Sequence, residues 1–373
     1  MTIEVLIYGY STICLCMMIM NFYCALLRRG DNLEYKLKVR HFQRRMTQDL
    51  ERFGQSYSYD KGHQVYLTKK LIHINVLLAF AEILEGLKKT NPTCYEVYTE
   101  KIQDLFVTLA QEYSRQKGMK KAYFAYFVAQ YPFGEEVADK IAKILLTHYI
   151  QDASLYCREN TLSALCHLGK EAYVVKALIS IDANGYFHHE KLIIEELLSF
   201  KGNHDALITL LWEHFSKFSL SNQLAILGYM RMKSAQYTKQ VYELLSDEQI
   251  DSEIHLACIR YLGKYYYQPA EARLISYIEA HHKEKWEYAA IGATALMNYP
   301  SEESINGLKG ALSSATWHVR LNAARSLVGL GVTEVFLGNL AEQEDRYARE
   351  MMHYQIHQKE QFNKLGQGAK VND

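Results

Sequence analysis

The stretch 317–331, WHVRLNAARSLVGLG, constrains this chain more than any other. Apolar or small residues recur at helical spacing through Trp317, Leu321, Ala324, Leu327 and Gly331, with a second line through Val319, Ala323, Ser326 and Leu330. A helix apolar on two sides must be sandwiched between neighbours. Ala323 and Ala324 have almost no side chain, so another helix can come close there. Sliding this pattern back from Leu327 finds Leu296, Leu262, Leu227, Leu198 and Leu165, each in a helical context followed by a turn and a second apolar stretch. The successive differences are 31, 34, 35, 29 and 33 residues. That is the length of a two-helix unit with connectors that vary.

Val319-Arg320-x-x-Ala323-Ala324-x-x-Leu327-x-x-Leu330-Gly331 resembles the first helix of a HEAT repeat, and Trp317 opens the same stretch. The resemblance implies an all-α chain in which helical hairpins stack into an α-solenoid and bind along an extended surface. Arg158 precedes Leu165 by seven residues, as Arg320 precedes Leu327. The copies between them hold Lys191, Leu220, His255 and Ala289 in that slot, and Ala315 and Thr316 replace the acidic residues that often precede Val-Arg. Those departures count against an arginine ladder and leave stacked helices as the expectation.

Residues 5–27 contain no Asp, Glu, Lys, Arg or His. At ~1.5 Å per residue, a helix of that length crosses a ~30 Å hydrocarbon core. A cleaved signal peptide is the competing reading, but its positive n-region is replaced by Met1-Thr2-Ile3-Glu4, and the apolar run exceeds an ordinary h-region. An uncleaved transmembrane helix is therefore expected, with Tyr8, Tyr10 and Tyr23 suited to the interfaces. Arg28, Arg29, Lys36, Lys38, Arg40, Arg44 and Arg45 follow it, against Asp31 and Glu34 alone. Positive charge stays on the cytoplasmic side, so the chain from Arg28 onward should face inward, its basic residues on anionic lipid headgroups.

Five regions follow: a transmembrane anchor (1–27), a basic juxtamembrane helix and linker (28–62), a degenerate helical part (63–134), regular hairpins with a polar capping helix (135–364), and a disordered tail (365–373). Asp31-x-x-Glu34 reads as a capping box that starts a new helix after Gly30, and the polar run 54–62 as a linker. Helices are expected over 65–88, 95–116 and 120–131, then at 172–181, 205–215, 239–245, 271–280, 302–312 and 333–343 as second helices of the hairpins. Each pair is too small to bury its own apolar face, so stability must come from neighbours. Tyrosine is abundant, 29 against 14 phenylalanines. Amphipathic rings suit a thin array with few dry positions, and compositional bias explains the number equally well.

The residues give little that carries chemistry. The seven cysteines form no CxxC pair and read as thiols in a reducing compartment. His353-x-x-x-His357 puts two imidazoles on one helix face but has no third ligand, and His188-His189 and His281-His282 fall at turns. Neither a nucleophile elbow nor a phosphate loop is present. No catalytic residue, metal or cofactor is assigned. Some HEAT-like proteins are DNA glycosylases or bind nucleic acid, and others are bilin lyases, so an enzyme with a pocket in the concave face is the alternative reading. Residues 46–373 carry 42 − 7 = 35 basic and 42 − 3 = 39 acidic residues, a balance that disfavours a nucleic-acid partner. The expectation is a membrane-anchored scaffold or adaptor for a membrane-associated protein, such as a membrane enzyme complex, with Trp212, Arg273 and Tyr277 of the second helices as anchors.

Overall fold

The computed structural model describes the backbone of residues 3–58, 61–279, 286–332 and 346–369, with side chains at 10, 12–18, 20, 37–58, 62–279, 286–332 and 346–361. Its regular structure is helical throughout, with no strand among the described residues. The chain divides into two compact units, Met1–Leu168 and Gly169–Asp373. The division falls later than residue 134, where the sequence places the start of the regular hairpins.

The first unit holds α1 (Ile3–Ser56), α2 (Lys61–Leu71), α3 (Ile74–Thr90), α4 (Pro92–Ser114), α5 (Met119–Val128), α6 (Glu135–Ile144), a π turn (Leu145–Tyr149) and α7 (Leu155–Leu168). Inside it, α1 packs on α3, α2 on α4, α4 on α6 and α5 on α7. Its core is strongly aromatic: Phe106 and Phe127 stack at 5.5 Å, and Tyr113 and Phe124 at 4.8 Å. Three sequence expectations need correction. α1 runs through Gly30 unbroken, so Asp31 and Glu34 do not start a helix; one glycine costs a helix only ~1 kcal/mol, too little to end it. The break before α2 is shorter than 54–62, because the helix ends at Ser56 and Tyr57 takes a left-handed φ of 51°. The stretch 65–88 is two helices that part at Ile72 and His73, a corner with no proline or glycine to announce it.

The second unit holds α8 (Glu171–Ala183), α9 (Glu190–Leu198), α10 (His204–Glu213), α11 (Leu220–Lys233), α12 (Thr238–Leu245), α13 (Ser252–Lys264), α14 (Glu271–Glu279), α15 (Trp286–Ala295), α16 (Glu302–Ala311), α17 (Trp317–Gly329) and α18 (Arg346–Ala369). Short polar residues start several of them: the Asn203 side chain accepts from the Asp205 N–H at 2.9 Å, Asp251 from Glu253 at 2.8 Å, and Ser301 from Ser304 at 2.9 Å. The first helices form a series, α9 on α11, α11 on α13, α13 on α15 and α15 on α17. The second helices lean on the first helix that follows: α12 on α13, α14 on α15, and α16 on α17. Each hairpin therefore buries its apolar face against the next. α18 covers α17 and continues to Ala369, past residue 364 where a frayed tail is expected; the second helix expected at 333–343 lies outside the described residues.

The reference leucines Leu165, Leu227, Leu262, Leu296 and Leu327 are all buried, but in α9 the buried residue is Leu197 and Leu198 is half-buried. Val319, Ala323, Ala324 and Leu327 are buried as a sandwiched helix requires, whereas Trp317 is 50% exposed and meets His318 edge-on at 5.0 Å. Trp317 opens α17 at its first residue, where the helix is not yet between neighbours.

Two devices join the loops to these helices. Arg158 Nη1 donates to the carbonyls of Asp152 at 2.7 Å and Ala153 at 2.9 Å, and Arg320 Nη1 donates to those of Ser314 at 2.5 Å and Ala315 at 3.2 Å. Both arginines reach five and six residues back and clamp the chain that enters their own helix. His255, in the same slot of α13, reaches the Asp247 carbonyl at 2.9 Å. Hydrogen bonds from a charged donor contribute ~1.5–3 kcal/mol. Arg158→Ala, at a buried position, is expected to lower stability by ~2–3 kcal/mol and Arg320→Ala, half-exposed, by about 1 kcal/mol, read from urea midpoints. Equal, negligible losses would show that these residues do not clamp the loops.

Buried tyrosines are the second device. Tyr261 Oη donates to the Ser234 carbonyl at 2.8 Å and accepts from the Tyr237 N–H at 3.3 Å; Tyr299 Oη does the same with Leu262 at 2.9 Å and Tyr267 at 3.3 Å. In the first unit, Tyr113 and Tyr149 donate to the carbonyls of Leu71 and Ala110, each at 2.7 Å. The ring fills the core while the hydroxyl pairs with main-chain groups of the preceding hairpin. Burial pushes the Tyr261 and Tyr299 phenols up to about 12.

Candidate binding surface

The second helices of the second unit carry half-exposed rings that meet in pairs. Trp212 of α10 stacks on Phe215 at 5.0 Å and meets Tyr237 at 5.7 Å, just before α12; the Tyr237 hydroxyl also bonds Thr209 at 3.0 Å. Tyr242 of α12 meets Tyr267 at 5.6 Å, and Tyr277 of α14 meets Tyr288 at 5.5 Å. Arg273 Nε donates to Tyr277 Oη at 3.0 Å, so the guanidinium lies along its own helix. Apart from the buried Phe215, each ring is only part-covered, the state in which Tyr, Trp and Arg serve as interface anchors at low entropic cost. The structure joins Arg273 to Tyr277 and leaves Trp212 on a separate helix two hairpins away. Tyr237, Tyr242, Tyr267 and Tyr288 were missed from sequence. The signal was present, since Trp212, Tyr242 and Tyr277 are 30 and 35 residues apart, the repeat step itself.

At the other end of the chain, α1 displays a run of exposed apolar side chains between residues 10 and 20. Tyr10, Ile13, Leu15, Met17, Met18 and Met20 are 55–73% exposed, and Cys16 between them is exposed. No helix among the described residues is long and apolar enough to cross a membrane, and most side chains of 5–27 lie outside those residues. The side chains of Arg28, Arg29 and Lys36 also lie outside them. Lys38, Arg40 and Arg44 are exposed, whereas the Arg45 guanidinium sits 3.8 Å over the Tyr66 ring and 3.7 Å from Asp49.

Asp49 continues into a relay, with His63 Nδ1 at 3.3 Å from its carboxylate and His63 Nε2 at 2.8 Å from Tyr98 Oη. Burial is the largest influence on His63 and lowers its pKa, against the opposing pull of Asp49. This is the order of groups in a nucleophile relay. Tyr98, however, is 1% exposed beneath Phe53, so its oxygen faces core and not a substrate. His357 Nε2 bonds Gln361 at 2.9 Å on an exposed face. Among the described residues, no three of His, Cys, Asp and Glu converge as a metal site would require. Cys94, Cys157, Cys166 and Cys258 are buried, and burial pushes the Cys157 and Cys258 thiols up to about 11 and about 12, away from reactive thiolates. Comparison with family models and with curated proteins found no match to this chain.

Proposed function

We propose that the chain is a membrane-held scaffold whose HEAT-like hairpins form an α-solenoid and recruit a membrane-associated protein. Residues 5–27 anchor it in the bilayer, and the basic residues that follow hold the hairpins on the cytoplasmic face against anionic headgroups. The observation that carries this reading is the apolar surface of α1. A run of apolar side chains this dense is stable only inside a protein or a bilayer, and no other described part of the chain covers the exposed residues between 10 and 20. The series of first helices and the half-exposed rings on the second helices support the recruiting role. Tethering raises the effective concentration of that surface toward partners in the same membrane without any new contact.

A pull-down from membranes with the intact chain, beside one lacking residues 1–27, tests the proposal. The intact chain should bring down a defined set of membrane-associated proteins that the shortened chain loses. Equal recovery of the same proteins by both would remove the tether from the account.

A further inference from the structure

A cavity of about 640 Å³ lies between α1 and the corner that joins α2 to α3. Its apolar wall includes Phe42, Val76 and the 63%-exposed Leu37. Lys38 and Lys70 stand at its rim with two imidazoles, His41 and His73, all exposed, and no carboxylate lines it among the described residues. Three other cavities contrast with it, because Asp182 and Glu190, Glu279 and Glu303, and Glu82 and Glu85 line them. Tyr66 also lines the basic cavity, with its hydroxyl in a buried position and without a hydrogen-bond partner among the described residues.

We propose that this cavity binds the phosphate-bearing headgroup of an anionic phospholipid, with the start of its apolar chains against Leu37 and Phe42. The ammonium groups of Lys38 and Lys70 face the phosphate. The volume suits a headgroup and its glycerol, within the ~300–1,000 Å³ of ordinary ligand sites. Position favours a lipid over a soluble anion. Leu37 is ten residues beyond Leu27, about 15 Å of helix rise. Helix tilt shortens that distance, and lysine stems reach back across it. This inference rests on the membrane-held reading given above.

The test uses the full chain in detergent with three probes: dioctanoyl phosphatidylglycerol, dioctanoyl phosphatidylcholine and inorganic phosphate. The phosphatidylglycerol should bind, the phosphatidylcholine should bind at least about 10-fold more weakly, and millimolar inorganic phosphate should not displace the former. The variant K38Q/K70Q should weaken phosphatidylglycerol binding about 10-fold or more, as two near-surface charges predict, with an unchanged thermal midpoint. The variant L37D, at an exposed site, should weaken it without touching the lysines. Equal binding of both lipids, indifference to K38Q/K70Q, or displacement by phosphate at the lipid's own concentration would each overturn the assignment, the last in favour of a soluble anion. Flotation with vesicles separates this proposal from its premise. Wild type and K38Q/K70Q should both float; if both float and lipid selectivity is absent, only the cavity assignment falls, and if neither floats, both fall.

Discussion

Gly263→Val is expected to destabilise the protein by about 3 kcal/mol or more, a larger loss than truncation of either arginine clamp. Gly263 lies near the end of α13, where a Cβ would stand 2.7 Å from Ala295 Cβ and 2.8 Å from Ala295 Cα in the facing first helix. The second of those atoms is main chain and cannot rotate away. Added side-chain bulk must therefore push α13 from α15, and the whole buried seam between those helices opens with it. Gly228 of α11 provides the contrast. Its added Cβ would meet only the end of the Ile194 side chain, at 2.5 and 3.3 Å, which can swing aside. Alanine also gains ~1 kcal/mol of helix propensity over glycine, so Gly228→Ala should be close to neutral. Urea unfolding followed by circular dichroism measures both, and equal losses would mean that main-chain contact at the α13–α15 seam does not set the cost.

Legibility from sequence followed how local the cause was. The first helices and most of their partners were readable because helical periodicity and the turns that break it lie within one hairpin; α8, α10, α12, α14 and α16 start and end within two residues of expectation. The slip from Leu198 to Leu197 arose because α9 is nine residues long, too short for periodicity to separate neighbouring leucines. The arginine slot was visible, but its purpose was not. Its partners are loop carbonyls, which have no residue signature, so the missing arginines looked like decay when His255 keeps a donor in the same place. Tyrosine number was equally plain and equally mute, since Tyr113, Tyr149, Tyr261 and Tyr299 bond carbonyls 42, 39, 27 and 37 residues away. The capping pattern at Asp31 misled because a capping box works only where the chain leaves the helix, and α1 does not. The basic cavity was out of reach for the same reason as the tyrosines: Lys70 and His73 lie 32 and 35 residues from Lys38, and only the corner between α2 and α3 brings them to it.

The second large effect is one of sidedness. If residues 5–27 span the bilayer with the basic cluster inside, residues before the segment and residues among the hairpins lie on opposite faces of one membrane. The excess of seven basic over two acidic residues between Arg28 and Arg45 would set that direction. Cysteine labelling suits the question in a background with Cys14, Cys16 and Cys24 changed to serine, because Cys94, Cys157, Cys166 and Cys258 are buried while Ser313, after α16, is exposed. The variants Thr2→Cys and Ser313→Cys are treated with a membrane-impermeant maleimide, first in intact cells and then after permeabilisation. The account predicts that Thr2→Cys is labelled in intact cells and Ser313→Cys only once the membrane is opened. Labelling of Ser313→Cys in intact cells, or its recovery in the soluble fraction after lysis, would contradict it.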